Sequence, residues 1–385
     1  MYNEEGHMGK KTKITICTAI IVLFFGAMNY MIQNSGTKEA SRKQESYTIG
    51  DLSFYNDRIL YVNCWGGLHI TDYCRLVSYD PFTKESRIIH TTNDFQGGPI
   101  YSWDGKRIAY ANVEQKRDAS NICVMDADGG NQQQLTHDYN DDAKTTDTPT
   151  GKVRRVVYNA KPSFSRDGKR IIFARASMKR QRIRGYGEMY TAWDIFEIDL
   201  ETKAIKQLTN YKFYEISRPF HLSDDKRFIF SGTDPAMPGL SAAKEMDLRE
   251  DYRRRYQDNT IFIMDGKNNE LKPAFTYGRW TSQPSVTKDD SILFLAVTND
   301  MDGLPPKPVN YDLFLKRGGA IVRVTKNQGR IRYPSISYDG KRVFFNAYRE
   351  GMKNSSEYIV NNDGTELTEV AFPVIGPKKG SKVDH

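Results

Sequence analysis

The sequence predicts an all-β protein: six radial sheets of four antiparallel strands each, preceded by one N-terminal transmembrane helix. Three observations carry that prediction. One phrase built around Asp-Gly-Lys-Arg recurs along the chain. Each copy is followed by further short β-like runs that end in Gly, Asn and Asp turns. A run of nineteen uncharged residues stands near the N-terminus.

The N-terminal run comes first in the chain. Residues 14–32, ITICTAIIVLFFGAMNYMI, have the length of a membrane-crossing helix. Lys10, Lys11 and Lys13 precede it and favour a cytoplasmic N-terminus of residues 1–13, against an opposing Lys38, Arg42 and Lys43. A cleaved signal peptide is the competing reading, because Gly26 and Ala27 are small, but no A-x-A site follows. An uncleaved signal-anchor is expected, with residues 33–47 as a polar tether and the body in the periplasm or outside the cell. An oxidising compartment lets Cys64 and Cys74, which flank one hairpin loop, form a disulfide. Cys123 replaces a Phe of other copies and reads as buried. No zinc spacing occurs.

The body follows. The phrase appears as PIYSWDGKRIAYAN from Pro99, PSFSRDGKRIIFAR from Pro162, PFHLSDDKRFIFSG from Pro219, PSVTKDDSILFLAV from Pro284 and PSISYDGKRVFFNA from Pro334. GDLSFYNDRILYVN from Gly50 is a degenerate first copy. A second run ending in a turn follows each (NICVMDADGG, DIFEIDLETK), then a third (QQQLT, IKQLT). The unit is strand, Asp-Gly hairpin, strand, variable loop, strand, second hairpin, strand. One unit cannot bury both faces of its sheet, whereas a closed ring gives every sheet two neighbours. Six copies over residues 48–372 therefore predict a six-bladed β-propeller, with residues 373–385 as a tail. Within the phrase, Pro opens the inner strand, Asp-Gly turns the chain, Lys-Arg solvates the turn and the apolar run packs between blades.

The pattern Pro-x-x-Ser-x-Asp-Gly-Lys-Arg, followed by VMDADGGNQQQLT at residues 124–136, resembles the TolB-type, WD40-like propeller repeat. The resemblance covers nearly all of the chain after the tether. An apolar run and tether precede the first copy, where TolB has an α/β domain. The resemblance implies fold and leaves function open, because the family includes envelope scaffolds, the propeller halves of serine peptidases and polysaccharide lyases.

Strand alternation places the short first and third turns on one face. The variable second turns and the blade-to-blade connections lie on the other, the expected binding face. Its loops carry Arg182, Arg184, Tyr186 and Tyr190 in one insertion and Arg253, Arg254, Arg255 and Tyr256 in another. Arg279, Trp280, Arg330, Arg332 and Tyr333 precede inner strands. Guanidinium forks recognise carboxylate, sulfate or phosphate, and aromatic faces stack on sugars or side chains. The functional reading is a groove for an envelope protein or an anionic polysaccharide or peptide. The bland one is that the arginines pair with Asp141, Asp247, Glu250 and Asp251 and only solvate the surface. Residues 241–257 form a short helix in this reading. A net charge of +8 suits nucleic acid, but an extracytoplasmic body without a nucleic-acid motif argues against it.

Catalytic motifs are missing: there is no HExxH, nucleophile elbow or glycine-rich phosphate loop. His69 and His137 lie in loops of the variable face, whereas His221 aligns with packing positions. Asp300 and Asp302 in NDMDG are weak calcium ligands, lacking the distal Glu of an EF-hand, so no cofactor is expected. The expected function is a non-enzymatic binding or scaffold module. A propeller lyase acting on uronate polymers is the alternative, ranked second because the resemblance implies a metal-binding histidine cluster that this chain lacks.

Overall fold

In the computed structural model the described residues are 45–55, 57–67, 70–114, 119–141, 143–148, 151–181, 188–233, 259–266, 270–277, 280–298, 311–349, 351 and 354–373. The expected helices at 14–32 and 241–257 lie outside them. Among the described residues no helix is long and apolar enough to cross a membrane, and every regular element is a strand.

Among the described residues twenty-five strands form a series of antiparallel meanders. The first comprises β1 (Glu45–Tyr55), β2 (Arg58–Gly67), β3 (Ile70–Tyr79) and β4 (Ser86–Thr92). β1 thus begins inside the segment expected to be tether. The second is β5 (Phe95–Tyr101), β6 (Arg107–Glu114), β7 (Ala119–Asp126) and β8 (Gln133–Gln134). A short β9 (Thr145–Thr148) then forms a hairpin with a long β10 (Gly151–Phe164), which leads β11 (Arg170–Gln181), β12 (Glu188–Asp199) and β13 (Ile205–Gln207). The fourth meander is β14 (Phe220–His221), β15 (Arg227–Thr233), β16 (Asn259–Asp265) and β17 (Leu271–Pro273). The fifth is β18 (Thr281–Val286), β19 (Ile292–Val297), β20 (Tyr311–Arg317) and β21 (Ala320–Arg323). The last is β22 (Arg330–Ile336), β23 (Arg342–Tyr348), β24 (Ser356–Asn361) and β25 (Thr368–Val370). Four of these are separate four-stranded sheets. The second and third are merged into one nine-stranded sheet by a single parallel bridge between Ser120 of β7 and Tyr158 of β10.

The leading strands pack in a cycle: β1 against β5, β5 against β10, β10 against β14, β18 against β22 and β22 against β1. β15 stands in for the two-residue β14 in meeting β18. Apolar clusters fill the seams between successive sheets. Leu293, Leu295, Leu313 and Leu315 meet Ile336, Val343 and Phe345 in one; Phe344, Ile359 and Phe372 meet Phe54, Ile59 and Tyr61 in another. Among the described residues the last sheet therefore packs on the first without exchanging a strand, since β1 pairs with β2 and β25 with β24.

Each word of the repeated phrase has a contact. Ser102, Ser165 and Ser337 donate to Asp104, Asp167 and Asp339 at 2.6 Å and accept the backbone N–H of Arg107, Arg170 and Arg342. Gly105, Gly168 and Gly340 take the left-handed position of the turn, at φ +73°, +70° and +73°. Asp225 and Asp290 hold that position in their copies. The arginine does more than solvate its turn, which corrects the expectation above. Arg107 donates to the Gly168 carbonyl at 2.5 Å, Arg170 donates to the Asp225 carbonyl at 3.2 Å, and Arg342 pairs with Asp57. Each reaches the next meander, and Arg342 treats the first as the successor of the last. The Leu-Thr ending also has a role. Thr136, Thr209 and Thr325 accept the N–H of Ile122, Ile195 and Leu313, and donate to Asn121, Asp194 and Asp312, so an N–H of the third strand is satisfied in these three meanders.

Candidate functional site

Each leading strand runs from the variable face to the short-turn face. The proline was expected to open this strand, but Pro99, Pro162, Pro284 and Pro334 fall in the second half of β5, β10, β18 and β22. There a residue with no N–H to give the ladder makes the strand break register. Breaks fall between Gly97 and Ile100, Ala160 and Ser163, Ser282 and Ser285, and Arg332 and Ser335. The residue before each proline is left-handed: Gly98 at φ +54°, Lys161 at +57°, Gln283 at +50° and Tyr333 at +51°. A side chain in that conformation costs on the order of 1 kcal/mol or more. Three of four copies nevertheless carry one. The fourth meander places Arg218 at the equivalent position, before Pro219.

These residues converge. Lys161, Arg218, Gln283 and Tyr333 line one axial cavity of about 60 Å³, joined by Glu215, Asn259 and Ser282. Serines stitch its wall: Ser163 Oγ donates to the Pro219 carbonyl at 2.5 Å, Gln283 N–H donates to Ser231 Oγ at 3.1 Å, and Ile336 N–H donates to Ser285 Oγ at 3.2 Å. Tyr338 lines its inner end, and its hydroxyl donates to the Tyr101 carbonyl at 2.6 Å. Behind it the axis is filled. Trp103 stacks on Tyr338 at 4.2 Å, and the Arg166 guanidinium lies 3.4 Å over Trp103 while paired with Asp290 at 3.0 Å. The cavity is thus backed on the short-turn side and faces the variable side.

Electrostatics at the site follow from its lining. Lys161 Nζ donates to the Ile216 carbonyl at 2.5 Å. Burial, the largest cause, raises the Tyr338 phenol well above its usual range, so it stays a neutral donor. Ser282 is 1% exposed and Asn259 6%, yet the Ser282 hydroxyl and the Asn259 amide oxygen meet no partner.

Of the residues singled out in the sequence, Tyr333 lines this cavity. Arg330 and Arg332 sit half-buried on β22, opposite Tyr348 and Asn346. Trp280 is buried with its ring 4.9 Å from Tyr311, and the half-buried Tyr190 stacks on Tyr158 at 3.7 Å. Arg182, Arg184, Tyr186, Arg253, Arg254, Arg255, Tyr256, Arg279, His69, Asp300 and Asp302 lie outside the described residues. Cys64 and Cys74 face each other across β2 and β3 and are joined by a disulfide; Cys123 is buried and free. His221 is buried at 2.9 Å from Glu197, as its packing position implied. Among the described residues no three His, Cys, Asp or Glu side chains gather as metal ligands would. Lys161, Arg218 and Gln283 were missed from sequence, although one signal was there: each stands immediately before the proline of the phrase.

Antiparallel meanders whose leading strands pack in a cycle around an axial cavity define a class of protein, the β-propeller. Comparison with known proteins narrows the class. TolB from Acinetobacter baumannii superposes with a TM-score of 0.55 at 21% identity, over 83% of this chain and 64% of that one. The fold is therefore a TolB-type propeller. Oligogalacturonate lyase from Vibrio parahaemolyticus reaches a TM-score of 0.43 at 12% identity, over 80% of this chain and 72% of that one, too distant to bear on chemistry. In sequence, 107 residues are 34% identical to hydrazine synthase subunit alpha of Kuenenia stuttgartiensis, covering 27% of this chain and 12% of that protein. The chain thus spans about an eighth of that relative and just under two thirds of the TolB chain. No family model matches.

Proposed function

We propose that this protein is a six-bladed, TolB-like propeller that works as a non-enzymatic binding module. It holds an envelope protein or an anionic envelope polymer on its variable face. Residues 14–32 anchor it, and the propeller lies in the periplasm or outside the cell. One observation carries the reading: the pre-proline residues of successive sheets meet in an axial cavity that is backed on one side and faces the variable loops. A chemically varied recess on a rigid repeat is how such scaffolds bind. We further propose Arg182, Arg184, Arg253, Arg254 and Arg255, which lie outside the described residues, as contacts for acidic groups.

Capture of partners from envelope extract by the full chain, beside a variant with Arg253, Arg254 and Arg255 replaced by Ala, tests the face. The variant is expected to lose partners that the native protein retains. Equal recovery would remove the arginines from the site. Incubation with pectate and alginate in the presence of Ca²⁺ or Mn²⁺ tests the non-enzymatic part. Growth of unsaturated-product absorbance would establish a lyase instead.

A further inference from the structure

We propose that the axial cavity is a receptor for a single carboxylate, carried by an Asp or Glu side chain of the protein partner; this rests on the binding-module reading. Three observations converge. The first is charge. The cavity lining holds two cations, Lys161 and Arg218, against one carboxylate, Glu215, and its other residues are neutral. Glu215 and Arg218 both have interactions within the protein. The lining thus carries one net positive charge, which one carboxylate neutralises, with Lys161 Nζ held at the Ile216 carbonyl. The second is conformation. Lys161 occupies a left-handed position that glycine holds in the second copy, so a strained backbone carries the cation at the cavity wall.

The third is the pair of buried polar atoms without partners. The Ser282 hydroxyl is a donor that a carboxylate oxygen would satisfy, and the Asn259 amide oxygen is an acceptor that needs an N–H. A carboxylate alone satisfies the first and not the second. An acidic residue in a peptide satisfies both, because its own or a neighbouring backbone N–H lies within reach of its side chain. The Gln283 amide oxygen is occupied by the Tyr333 N–H at 3.1 Å, which turns the Gln283 amide nitrogen into a further donor. An acidic side chain entering from the variable face therefore meets Lys161, Ser282 and Gln283 in the lining of the cavity.

Titration of the full chain in detergent with acetyl-glutamate amide, followed by calorimetry, tests this. Acetyl-glutamine amide, galacturonate and sulfate are the comparison probes. The glutamate probe is expected to bind on the order of tenfold more tightly than each of the three, and to weaken as salt is raised. Lys161→Gln is expected to lower its affinity about tenfold, and Ser282→Ala several-fold. Equal affinity for the glutamine probe, or no salt dependence in the unaltered protein, would overturn the carboxylate site even if the variants fail to fold. Tighter binding of galacturonate would overturn the peptide source, and equal binding of sulfate the carboxylate specificity. If the native protein still captures an envelope partner while the glutamate probe does not bind, this inference falls and the binding module stands. If no partner is captured, the binding module falls whatever the probe does.

Discussion

At the scale of single residues, the last meander departs from its siblings at Glu357. The equivalent positions, by pairing with the second strand, are Leu76, Ile122, Ile195, Ile261 and Leu313, all with no exposed surface. Glu357 pairs with Asn346, whose amide donates to its carboxylate at 3.1 Å. It shares a strand face with Ile359, so it points into the seam that the last sheet forms with the first. Burial, with the nearby Glu369 charge as a lesser cause, pushes its carboxyl up to about 7. A carboxyl raised on folding contributes fully below its unfolded value near 4.5, and that contribution fades as pH rises through 7. Glu357→Gln should remove this slope and stabilise the protein at pH 8 by on the order of 2 kcal/mol, as read by denaturant titration across pH. An unchanged slope would clear Glu357 of the effect. The turn aspartates act in the opposite sense. Burial alone would raise Asp104, but the Ser102 hydroxyl and the Lys106 N–H more than offset it and hold its carboxyl below its usual range. Asp167 and Asp339 are held down in the same way, so their stabilisation is present above about pH 4 and lost on further acidification. Thr209→Val removes two buried hydrogen bonds and should cost about 1–3 kcal/mol in the same measurement.

At the scale of elements, the glycines of the second hairpin differ from unit to unit in what they demand. Gly129 has φ +95°, and a Cβ there would stand 2.1 Å from the Ile89 carbonyl of the preceding sheet. Gly364 repeats the arrangement against the Val324 carbonyl. Gly318 is also left-handed, at φ +53°, but nothing lies within 4 Å of its would-be Cβ. Gly318→Ala therefore measures backbone strain alone, about 1 kcal/mol, and Gly129→Ala should exceed it by at least as much again. Equal melting shifts for the two would mean that the close approach has no energetic weight. The turns were legible in the sequence because hairpins restrict residue type locally. The role of the arginine in Asp-Gly-Lys-Arg was not, since a guanidinium that reaches the next sheet and one that only meets water look identical in a string of letters.

At the scale of the whole molecule, closure rests on packing. Phe372 lies 4.6 Å from Tyr61 and 5.9 Å from Phe344, bridging first and last sheets. Tyr61 donates to the Pro373 carbonyl at 3.0 Å, and Tyr79 donates to the Ala371 carbonyl at 3.3 Å. Phe372→Ala should cost about 3–5 kcal/mol and lower the melting temperature of the whole propeller in one transition. A separate early transition confined to the end sheets would show instead that the ring opens without unfolding. Small-angle scattering of the propeller is expected to give a squat disc, and a two-lobed envelope would contradict the cycle of leading strands.

The sequence alone determined the repeat, the hairpins, the strand order and the TolB-type fold. Each of these depends on residue type at short, regular spacing, and the copies reinforce one another. Only the tertiary structure decided where a binding site lies. Lys161, Arg218, Gln283 and Tyr333 are separated by 50 to 65 residues and become neighbours only when the ring brings its inner strands together on one axis. The ring contacts of Trp280 with Tyr311 and of Tyr190 with Tyr158 were decided there too, because what packs against a large ring is set by the tertiary structure.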